Sequence, residues 1–211
     1  MNQVIHIAAK TLSILLYPLF VPTYGIALFC YAYMRLTPVP PVWSVVAVFG
    51  TLILTAILPI TAIWILIRRG VVTDLQMENG GERTMPYVYS AFGFGFWSYL
   101  MIAILHAPLC IAYVTIGGTI AIGLIAIINN WWKISAHLTG MGGLVGGIMS
   151  YYLGIGAMPS WVLLVCLFLL TLALMYARLS LNAHTSAQVC AGWLHGITAT
   201  FLPYCICEYA A

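Results

Sequence analysis

The sequence predicts an all-α, polytopic membrane protein with about seven transmembrane helices. Three observations carry this expectation. Of 211 residues, 64% are hydrophobic and 5% are charged. Four Asp/Glu and seven Lys/Arg are too few to hydrate the surface of a soluble globule of this size. The apolar residues also gather into runs of about 20, the length a helix needs to cross a bilayer, with short polar turns between them. The net charge of +3 points to no nucleic acid partner. The expected partner is the lipid bilayer itself.

The first run, 12–34, contains Pro18 and Pro22, which should kink it. With Lys10 before it and no convincing cleavage site after it, this run reads as a first span and not a removed signal. Arg35 and the stiff turn 37–41 lead to a second span, 42–67, stopped by Arg68 and Arg69. The longest polar segment follows, 68–86, with Asp74, Glu78, Glu82 and Arg83. Gly80-Gly81 interrupts any helix there. Spans three to seven are expected at 87–105, 109–128, 134–153, 161–181 and 185–206. His106-Ala107-Pro108 makes a tight turn between the third and fourth. Trp131 and Trp132 follow the fourth at headgroup level. The whole chain, 1–211, reads as one transmembrane domain. The cysteines, at 30, 110, 166, 190, 205 and 207, mostly fall inside apolar runs and read as small core residues. Cys205-Ile-Cys207 is the one weak candidate for a metal or redox pair.

Three polar clusters interrupt this pattern. They are 68–86, Lys133 to His137, and Arg178 to Gln188. An even number of crossings separates them, so the seven-span scheme puts all three on one side of the membrane. His106 falls on the other side, and His6, His106 and His195 read as structural. Span five carries Gly142, Gly143, Gly146 and Gly147, and span seven carries Gly192 and Gly196. Small residues four apart let helix backbones approach closely in a bilayer. Packing those two faces together would bring His137 and His184 to the same end of one helix pair.

Cations and imidazoles at membrane level are expensive to place and mark function. Arg83, Lys133 and Arg178 could clamp the oxygens of a phosphoryl group, whose transfer depends on positioning and electrostatic stabilisation. Arg suits a bidentate grip on phosphate. Ser135 and the backbone N–H groups at the start of span five add donors where a helix N-terminus favours an anion. His184 and Gln188 lie one helical turn apart, so Gln188 can hold the imidazole by its ring N–H. The plainer alternative has Arg178 and Lys133 snorkelling at helix ends while His137 and His184 cap helices.

Arg178, five residues, His184, three residues, Gln188 resembles the third motif of the type-2 phosphatidic acid phosphatase superfamily. That motif reads Ser-Arg, five residues, His, three residues, Asp, and Gln188 stands where it has Asp. Lys133-Ile-Ser135-Ala-His137 resembles the second motif, Pro-Ser-Gly-His, in its Ser-x-His core. The segment Glu78 to Pro86 resembles the first motif least. There Arg83 and Pro86 are separated by two residues, and no Lys precedes them at the family's distance. The resemblance covers roughly residues 70–196, within a phosphatase-like core of about 70–206.

The resemblance implies His184 as a nucleophile that forms a phosphohistidine and His137 as general acid. It implies Arg83, Arg178 and Lys133 as phosphate ligands, with no metal and no cofactor. The expected activity is dephosphorylation of a lipid phosphate or diphosphate. The alternatives are a head-group phosphotransferase, or a non-catalytic protein that binds or transports a lipid phosphate. Glu78 and Glu82 could pair with Arg68, Arg69 or Arg83, or meet a head-group amine or a metal. The expected location is the plasma membrane. Lys10, Arg68 and Arg69 against Arg35 put the clusters in the cytoplasm, whereas the resemblance implies the outer face for many relatives.

Overall fold

Glycine sets the geometry of the largest helix interface. A computed structural model describes residues 3–34, 40–73 and 80–210. Among these, nine α-helices run in order: α1 Gln3–Leu15, α2 Val21–Tyr33, α3 Pro41–Thr51, α4 Leu58–Arg68, α5 Thr84–Ala103, α6 Leu109–Ile128, α7 Ala136–Gly154, α8 Trp161–Ser180 and α9 Ser186–Ala210. No strand occurs among the described residues. The most extensive contact is α7 against α9. A methyl group at Gly142 would overlap the Trp193 carbonyl oxygen, and one at Gly196 the Thr139 carbonyl oxygen. At Gly192 it would lie 2.6 Å from the Ser135 carbonyl oxygen, and at Gly146 2.6 Å from that of Ile197. The two helices therefore touch backbone to backbone, as the glycine spacing predicts. Gly147 faces Val114 on α6 and Phe29 on α2 instead, whereas Gly143 faces Thr200 and Gly196 on α9.

Four helices are long and apolar enough to cross a membrane: Pro41–Arg68, Leu109–Ile128, Trp161–Ser180 and Ser186–Ile206. They mark the chain as a membrane protein. They coincide with four of the seven expected spans. The expected spans at 87–105 and 134–153 form α5 and α7, of 20 and 19 residues. Tyr, Ser and Gly dilute the apolar character of both. Exposed large side chains such as Phe92 and Phe168 suit contact with lipid.

The first expected span is corrected. Residues 12–34 do not form one kinked helix but parts of two short ones, of 13 residues each. Each is about 20 Å long, short of a 30 Å hydrocarbon core. Pro18 has no N–H and disfavours helical geometry at Tyr17. The chain turns there instead, through Tyr17 N–H to the Ile14 carbonyl (3.2 Å) and Phe20 N–H to the Tyr17 carbonyl (2.9 Å). Pro22 then occupies the first turn of α2, where a missing N–H costs nothing.

The second span is continuous but irregular. A π-helical segment, Leu52–Ile57, joins α3 to α4. Pro59 follows it and cannot donate to a carbonyl one turn back. The Thr55 hydroxyl bonds within its own helix, to the Thr51 carbonyl at 2.8 Å, and lies 3.3 Å from the Leu19 carbonyl in the α1–α2 turn. The inward face of this helix is Ala47, Thr51, Thr55, Pro59 and Ile63, all buried.

Substitutions along α7–α9 test this packing. Gly142→Ala and Gly196→Ala should each destabilise the protein by about 1–3 kcal/mol, the usual cost of overpacking. Gly123→Ala, where a Cβ meets nothing within 4 Å, should be neutral or slightly stabilising. Thermal unfolding in detergent compares them.

Candidate functional site

The polar clusters meet because helix ends meet. The end of α1 lies against the start of α7, through His137 Nε2 donating to the Ser13 carbonyl at 3.1 Å. The start of α5 lies against the end of α6, through the Thr84 hydroxyl donating to Asn130 Oδ1 at 3.2 Å. The loop before α7 lies against the start of α9, through Ser135 N–H donating to the Gln188 carbonyl at 3.3 Å. Arg83, Lys133, His137, Arg178 and His184 are thereby gathered at one end of the bundle, within electrostatic reach of one another.

His184 lies in the loop between α8 and α9, and oxygen acceptors fix its ring. Nδ1 is 3.2 Å from Gln188 Oε1 and 3.3 Å from the Lys133 carbonyl. Gln188 Oε1 also accepts from the Thr185 N–H at 3.1 Å, which orients the amide with its oxygen toward the ring. Two acceptors at Nδ1 place the proton there and leave the lone pair on Nε2. Gln188 thus performs the orienting role that its spacing predicts.

Burial, and then the charge of Arg178, hold the imidazole below its ordinary value of 6.5, at about 4. Lys133 and Arg83 push the same way, and the Gln188 bond opposes them. His184 is therefore neutral at neutral pH, with a nucleophilic nitrogen in a cationic neighbourhood.

Arg83 is buried at the start of α5, and Arg178 occupies the last turn of α8. The α8 dipole favours a cation at its end, but Arg83 and Arg178 are close enough to repel each other. Arg178 Nε is buried without a hydrogen-bond partner among the described residues. A buried donor left unmatched beside a like charge is costly. An anion between the two guanidinium groups would relieve both costs.

Tyr17 and Tyr87, which the sequence reading missed, border the same space. The Tyr17 ring meets His137 edge-on, with centroids 5.6 Å apart, and both tyrosines lie within electrostatic reach of Arg83 and Arg178. Only tertiary contact reveals them, because no spacing in the chain links residue 17 to residue 137.

Other expected roles change or narrow. Ser135 is fully buried, and its Oγ accepts the Leu138 N–H at 3.5 Å as the N-cap of α7. Capping uses the oxygen of this hydroxyl and leaves its O–H as a donor. Lys133 reaches the site by charge and also by its carbonyl. Glu82 Oε2 accepts from Thr73 N–H and Oγ1, both at 2.8 Å, which ties down the polar segment. Glu78 lies outside the described residues. His195 Nε2 donates to the Ala121 carbonyl at 3.0 Å, in keeping with a structural role. Among the described residues, no group of three or more His, Cys, Asp or Glu could hold a metal ion. Trp131, two residues before Lys133, is 80% exposed.

No family model, no curated protein and no solved structure matches the chain.

The His184 environment makes stability depend on pH. In the unfolded chain this imidazole takes a proton near 6.5, whereas in the fold it stays neutral down to about 4. Between those values the unfolded state binds the extra proton. Stability should therefore fall as pH drops through this window, then level off below it. His184→Asn should flatten that dependence, read as melting temperature in detergent against pH.

Proposed function

We propose that the protein is a membrane-embedded phosphatase of the type-2 phosphatidic acid phosphatase kind, acting on a lipid phosphate or diphosphate. The observation that carries this reading is the buried, unpartnered Nε of Arg178, with Arg83 close by and a neutral, oriented His184 beside it. A phosphoryl group between the guanidiniums would meet the lone pair of His184 Nε2. Attack forms the N–P bond and breaks the bond from phosphorus to the lipid oxygen, which leaves with a proton. Water then cleaves the phosphohistidine and releases inorganic phosphate. An acceptor alcohol in place of water would make the same intermediate a phosphotransferase.

His137 is the proposed acid. In the free protein its Nε2–H is committed to the Ser13 carbonyl, so the catalytic proton belongs on Nδ1. Negative charge on a bound phosphate favours that protonated form. His137 then takes a proton from water in the second step.

In this reading the joined α3–α4 and α5 to α9 make six crossings, and α2, like α1, is too short to cross alone. The half-length α1 packs along α8, where the two helices are in contact. The cationic end lies at headgroup level beside Trp131 and Trp132.

The second reading, a non-catalytic binder of lipid phosphates, draws on Gln188. A neutral amide orients His184 but cannot offset the positive charge that grows on its ring during attack. Replacing Asp by its amide beside the triad histidine of serine proteases lowers turnover about ten-thousand-fold, chiefly through the wrong tautomer. Here Thr185 holds the tautomer correct, so the missing element is charge alone.

His184→Ala should abolish phosphate release from a lipid phosphate and remove any acid-labile phosphoenzyme, while the melting curve stays cooperative. Turnover within a few-fold of wild type would exclude His184 as nucleophile. Gln188→Asp keeps an acceptor, one methylene nearer the backbone, and adds a charge, so it should raise the rate of phosphate release with little change in KM. A lower melting temperature with no gain in rate would favour the binder.

A further inference from the structure

Below the cationic site the bundle holds an apolar chamber of about 130 Å³. Tyr17, Tyr87 and Ala136 form its upper wall, and these residues adjoin His137 and the two arginines. Trp97 and Thr51 lie deeper among its lining residues. Tyr87 and Trp97 are ten residues apart on α5, a rise of about 15 Å. That is half of a 30 Å hydrocarbon core, the depth of one leaflet.

The lining demands an apolar occupant. Its threonine hydroxyls are already committed to protein carbonyls: Thr51 to Ala47, Thr55 to Thr51, Thr139 to Ser135 and Thr200 to Gly143. Water needs two to four polar partners to occupy a cavity stably, and these groups offer few. The deep end is rigid. Trp97 Nε1 donates to Thr51 Oγ1 at 2.8 Å, and its ring packs so tightly on Gly50 that any side chain there would overlap it.

We propose that this chamber binds the single hydrocarbon chain of a phosphorylated amphiphile, with Trp97 as the floor that limits chain length. The proposal rests on the phosphatase reading only for the headgroup, since the chamber is argued from its own lining. The chain enters beside Tyr17 and Tyr87 with its phosphate at Arg83 and Arg178, and its far end stops at Trp97. A linear alkyl chain and a branched isoprenyl chain share this chemistry.

Two readouts test it. The first is photolabelling in nanodiscs with alkyl phosphates that carry a diazirine at the terminal carbon. A probe of about leaflet length should crosslink at Trp97 or Thr51. Crosslinks confined to the lipid-exposed Phe92 and Phe96 would overturn the chamber. This readout needs no turnover, so labelling at Trp97 in a protein that releases no phosphate would keep the chamber and sink the phosphatase. The second is kcat/KM across n-alkyl and isoprenyl phosphates of increasing length. It should fall beyond a cut-off, which Trp97→Ala shifts to longer chains and Gly118→Leu to shorter ones. The series that shows the cut-off identifies the chain type. Turnover without any cut-off, unmoved by either substitution, would overturn the chamber and leave the phosphatase standing. If Trp97→Ala does not fold, the photolabelling of the wild type decides.

Discussion

The close approach of α7 and α9 is the constraint on which the rest depends. In a bilayer no hydrophobic force drives helices together, because lipid tails are as apolar as the side chains. Contact must come from packing, and here packing means glycine against carbonyl oxygen at Gly142, Gly146, Gly192 and Gly196. The same contact fixes the starts of both helices. Ser135 caps α7 and donates its N–H to the Gln188 carbonyl on α9. His184, just before α9, reaches the Lys133 carbonyl just before α7. The imidazole is thus held by backbone from one helix entry and by a side chain from the other. A shift between the helices would break the bond to the Lys133 carbonyl and leave the local bond to Gln188.

The electrostatics of the site are lopsided. Arg83, Arg178 and Lys133 are grouped around two neutral imidazoles, and the orienting partner of His184 is an amide. A carboxylate at that position would cancel part of the field. With Gln188, no charge at this position cancels the field, and none stabilises charge on the histidine. Burial and the arginines both keep His184 neutral, so its nucleophilic form survives well below neutral pH.

Much of this was legible in the residues, and the gaps have physical reasons. Arg178, His184 and Gln188 are local in sequence, so one helical turn and one short loop determine their geometry. The glycine faces were legible because period and residue size both survive without tertiary knowledge. The α1–α2 break was not. Pro18 and Pro22 are compatible with a kink or a stop, and bonds to distant elements distinguish them, Ser13 with His137 and Leu19 with Thr55. The cap at Ser135 was not read because a serine before a helix offers its hydroxyl equally well to an anion or to its own backbone, and only the bond to the Leu138 N–H reveals the second use. The aromatic-rich α5 and glycine-rich α7 match their expected runs as helices yet dilute the apolar signal that defines a span.

The widened turn at Leu52–Ile57 has a consequence for the length of its helix. The buried residues Ala47, Thr51, Thr55, Pro59 and Ile63 recur every four positions. A regular helix turns about 100° per residue, so each four-residue step overshoots a full turn by about 40°. Over that stretch the stripe would wind more than a third of the way around the cylinder. The π turn absorbs one surplus residue and keeps the stripe on one side. Chain length here is therefore tied to angular phase. Deleting a single residue between 52 and 57 would remove the surplus and let the segment close to an ordinary helix with its halves in phase, whereas inserting one there would rotate one half against the other by about 100°. Thr51 and Ile63 could not then face the interior together. Point substitutions on the outer surface of this segment, and loss of the surplus residue, should be tolerated far better than a further insertion.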